Sequence, residues 1–114
     1  MKDKKSKAPK AYQEFITRYP ELGEAWQLMS RAGKGCEELE LKTQLLMKLG
    51  IAVGAQRPGS VSSAVRKALD AGVSVNEIEQ VVALAASTIG LPASVASYGW
   101  ISEAIRKYEE QTGN

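Results

Sequence analysis

In this chain of 114 residues, every apolar segment with a clear period repeats at three- and four-residue spacing, and none alternates at two. The first spacing gathers apolar side chains on one side of an α-helix, whereas a half-buried strand requires alternation. Tyr12, Phe15, Ile16 and Tyr19 mark a helix over Lys10–Tyr19 that Pro20 stops. Leu22, Ala25, Trp26 and Met29 mark a second, closed by Gly33 and Gly35. From Leu39 to Val53 the apolar stripe is wide enough for a mostly buried central helix. The next runs from about Gly59 to Ala71, with Val61, Ala64, Val65, Ala68 and Leu69 inward and Gly72 as its stop.

Ser74-Val75-Asn76-Glu77 is a capping box, opening a fifth helix through Ile78, Val81 and Val82 to about Thr88. The Ile89-Gly90-Leu91-Pro92 corner precedes a last helix from Ala93 to about Glu110. Small residues crowd this half, among them Ala64, Ala68, Ala85, Ala96 and Gly99, and read as close helix packing. The expectation is an all-α, single-domain bundle of about six helices.

The length suits one domain and is too short for two independent cores. A 44% apolar and 25% charged composition is ordinary for a soluble globular protein. One cysteine, Cys36, and no histidine point to a reducing compartment, here the cytoplasm, and leave no set of residues for a metal site. The lysine-rich start has no apolar stretch behind it and does not read as a signal peptide. Val81–Ala96 is too short and too broken by Ser87, Thr88, Gly90 and Pro92 to span a bilayer.

The net charge of +2 conceals an asymmetry. Residues 1–10 hold five lysines and one aspartate, while the rest holds ten basic and twelve acidic side chains. The basic character therefore belongs to residues 1–9, read as a disordered tail ahead of a helical domain at 10–112. A nucleic-acid binder needs its basic stripe on the folded body with aromatics interleaved, and this body has none.

Three stretches resemble the carboxymuconolactone decarboxylase family, which includes the alkylhydroperoxidase D proteins. They are FITRYPELGEAW at 15–26, LKTQLLMKLGIAVGA at 41–55 running into VRKALDAG at 65–72, and VNEIEQVV at 75–82 with IGLP at 89–92. Together they cover about residues 12–106 in order. The resemblance implies an all-helical alkylhydroperoxidase D-like fold and a homo-oligomer, trimer or hexamer, with clefts lined by neighbouring subunits. Peroxidase-type members carry Cys-x-x-Cys-x-x-x-His at the start of the helix that continues Ala-x-x-x-Gly. A helix N-terminus and a nearby base lower a thiol pKa, the thiolate attacks peroxide, and the second cysteine resolves the product.

Aligned on Ala68 and Gly72, the cysteine positions fall on Arg57 and Ser60, and the histidine position on Ala64. The proton-handling glutamate of the preceding helix corresponds best to Gln44, whose amide does not titrate. Decarboxylase-type members use a histidine on the same helix, where this chain has Ser62 and Ala64. The resemblance thus implies the fold, while the residues of the family's peroxidase and decarboxylase chemistry are absent. No cofactor is implied.

What remains at that position is polar: Gln56, Arg57, Ser60, Ser62 and Ser63 around a helix N-terminus. One reading is a pocket in which Arg57 and free backbone N–H groups hold a small organic acid. The plainer reading sends Arg57 to solvent and makes the serines helix caps. Cys36 is expected just before a Glu37–Val53 helix, as an exposed loop thiol without a resolving partner. Trp26, Met47, Tyr98 and Trp100 read as core or subunit contacts ahead of a ligand pocket. Two functional readings follow: a protein that binds or acts on a small organic acid in an inter-subunit cleft, or a non-catalytic oligomeric binding or assembly module. Neither calls for a membrane.

Overall fold

The computed structural model of the chain describes residues 7–113. Six α-helices follow one another: α1 (Lys10–Arg18), α2 (Pro20–Lys34), α3 (Leu41–Gly54), α4 (Pro58–Asp70), α5 (Val75–Ile89) and α6 (Leu91–Thr112). No strand occurs among the described residues. These residues fall into two compact units, 7–40 and 41–113. Most of the expected basic tail, residues 1–6, lies outside the described residues; Lys7–Pro9 precede α1 without helical structure.

In the 41–113 unit the helices pack as a closed ring, α3 against α4, α4 against α6, α6 against α5 and α5 against α3. Each helix turns its apolar stripe to the centre of that ring. Leu49, Ala52 and Val53 come from α3, Val61, Val65 and Ala68 from α4, Ile78 and Val82 from α5, Ile101 and Ala104 from α6. The three alanines among them, Ala52, Ala68 and Ala104, leave the large side chains of the neighbours room to interlock, as close-packed interiors require. Ala64, Leu69 and Trp100 pack against the rim of the same core.

The joints follow from local chemistry. Gly72, at φ +89°, closes α4. Its N–H donates to the Leu69 carbonyl at 3.0 Å, and the Val73 N–H donates to the Ala68 carbonyl at 3.0 Å. This paired arrangement satisfies carbonyls that a helix end leaves open, and it swings Val73 into the core. The capping box forms as its sequence demands. The Glu77 N–H donates to Ser74 Oγ at 3.1 Å, and the Ser74 N–H donates to Glu77 Oε1 at 3.0 Å. Gly90 takes φ +89° between α5 and α6, and Pro92 sits in the first turn of α6, where its missing N–H costs nothing. That helix therefore starts at Leu91, two residues before the expected Ala93.

The 7–40 unit is a helical hairpin without an interior: neither α1 nor α2 holds a buried residue. Tyr19 joins the two helices, its ring 5.3 Å from that of Phe15. A Cβ at Gly23 would lie 3.2 Å from Ile16 Cβ, so a side chain there would have to press Ile16 back by a few tenths of an ångström. Leu22, Trp26 and Met29 line one exposed face of α2.

A second expected boundary is corrected. The central helix begins at Leu41 and not at Glu37 or Leu39. Glu37 adopts the left-handed conformation, φ +61°, which no helix accommodates, so the chain turns before α3 starts.

Candidate functional site

The polar cluster at 56–63 surrounds the turn between α3 and α4. Gln56 occupies this turn at φ +54°, a conformation costly for a residue with a Cβ. Its side chain is held in place. The Nε2 amide donates to the Val53 carbonyl at 2.9 Å and to Ser97 Oγ at 2.8 Å, with the Ala93 carbonyl at 3.5 Å. Ser97 is fully buried and passes its own proton to the Ala93 carbonyl at 2.9 Å. The Gln56 amide therefore closes back on α3 through Val53 and ties the turn to α6 through Ser97, and neither of its protons is directed to an outside ligand.

Arg57 is the N-cap of α4, with extended backbone. Its N–H donates to the Ala52 carbonyl at 3.1 Å, while its side chain is exposed. Pro58 follows at the start of the helix. Ser60 and Ser62 are exposed, and Ser63 is half-buried with its Oγ 3.5 Å from Arg66 Nη2. No side chain caps α4, so the expected serine caps do not form. The reason is register: the N-cap position belongs to Arg57, and the serines begin inside the first turn. Ala64 lies one turn further, half-buried at the edge of the core.

Gln44 is half-buried on α3. Cys36 follows Gly35, the C-cap of α2, and is exposed. Its Sγ lies 3.7 Å from the Ala32 carbonyl. The helix N-terminus expected beside this thiol is not there, because α3 starts five residues later and Cys36 sits at the carbonyl end of α2. Among the described residues, no three His, Cys, Asp or Glu side chains converge as a metal set, and no helix is long and apolar enough to cross a membrane.

A second concave surface lies between α3 and α5, a groove of about 650 Å³. Leu46, Met47, Val81, Leu84, Ala85 and Ile89 supply its apolar lining, with Gly50 and Gly54 along the α3 side. Lys42 Nζ and Glu77 Oε2 meet at 2.7 Å. The hydrogen bond from Lys42, then the Ser74 N–H, hold the Glu77 carboxyl down at about 2 from its usual 4.5. Of the four residues expected as packing, Trp100 meets the core, Met47 lines this groove, and Trp26 and Tyr98 are exposed. The groove was not anticipated. Its signal was the α3 stripe, broader than one core-facing side needs: Leu46, Met47 and Gly50 continue it past Leu49 and Val53.

The model of the carboxymuconolactone decarboxylase family matches residues 20–103. No curated protein and no solved structure matches the chain. The chain belongs to the carboxymuconolactone decarboxylase family.

Proposed function

We propose that this member of the carboxymuconolactone decarboxylase family is a homo-oligomeric binding or assembly module that has kept the family scaffold and lost its thiol and imidazole chemistry. One observation carries the reading. The start of α4 is a well-formed helix end whose motif positions hold Arg57, Ser60 and Ala64. A thiol peroxidase needs a thiolate and a resolving thiol there, and general-base chemistry needs a group titrating near neutrality. Guanidinium, hydroxyl and methyl groups supply neither. The nearby Gln56 amide is committed to the fold. The single cysteine suits a reducing cytoplasmic setting.

A second reading rests on Arg57, exposed at the N-cap of α4. There a guanidinium beside unpaired first-turn N–H groups favours a small organic acid. Peroxide reduction and lactone decarboxylation assays test the first reading, and both are expected at the buffer level. Titration with small mono- and dicarboxylic acids tests the second. Saturable binding lost on Arg57→Ala supports it, and binding indifferent to that substitution removes it.

A further inference from the structure

We draw no further inference here: the strongest candidate, the exposed apolar face that Leu22, Trp26 and Met29 form on α2 of the 7–40 hairpin, is unpartnered, and nothing in the structure shows what covers it.

Discussion

The Gln56 amide donates to the buried hydroxyl of Ser97 at 2.8 Å, across 41 positions of the chain. This bond fixes the α3–α4 turn on α6 and so sets where α4 begins. It also explains why a residue with a Cβ is kept at φ +54°. The conformation costs roughly 1–2 kcal/mol, and the hydrogen bonds it enables offset that cost. Gln56→Ala keeps the strained backbone and loses the bonds, so it should destabilise by about 1–3 kcal/mol. Gln56→Gly loses the same bonds but relieves the backbone, and should cost less. Urea unfolding of both variants checks the order.

Gly72 stands at φ +89° at the end of α4, where its N–H and that of Val73 close the helix onto Leu69 and Ala68. No atom crowds the position, since a Cβ there would meet nothing within 4 Å. Gly72→Ala should therefore lose stability by backbone strain alone, about 1–2 kcal/mol. Thermal unfolding should fall with no change in helix content. An unchanged melting temperature would show that the turn is not held as described.

The Glu77 carboxyl lies at about 2 when folded against a usual 4.5, first through its hydrogen bond from Lys42. The folded state thus binds this proton less readily than the unfolded state does. Its contribution to stability is present above about pH 4.5 and is lost as pH falls towards 2. In Glu77→Gln an amide oxygen still accepts the Ser74 N–H, but the charge that pairs with Lys42 is gone. The wild type should be the more stable protein at neutral pH, and the two unfolding midpoints should converge as pH drops from 4.5 to 2. Parallel curves over that range would remove the Lys42–Glu77 pair from the stability of the fold.

Six helices, their order and most of their ends were legible from apolar spacing, the prolines at 20, 58 and 92, and the capping box at Ser74. These are local signals, set by residues a few positions apart. The start of α3 was not legible, because a left-handed Glu37 interrupts a segment whose apolar pattern looks continuous with the helix. At the candidate site, the composition around Arg57 could be read, and the fate of Gln56 could not. Its partner Ser97 lies 41 positions away, and no local pattern pairs the two. Likewise the α3/α5 groove exists only once its two helices are brought together.

Peroxide consumption bears most directly on the central claim, that the helix end at Arg57 is in place with no thiol or imidazole upon it. The full chain should be assayed at neutral pH with a dithiol reductant, beside Cys36→Ser. Consumption by both proteins should match buffer. Turnover well above buffer that disappears in Cys36→Ser would contradict the account, because the lone thiol would then be performing the chemistry that the α4 positions have lost.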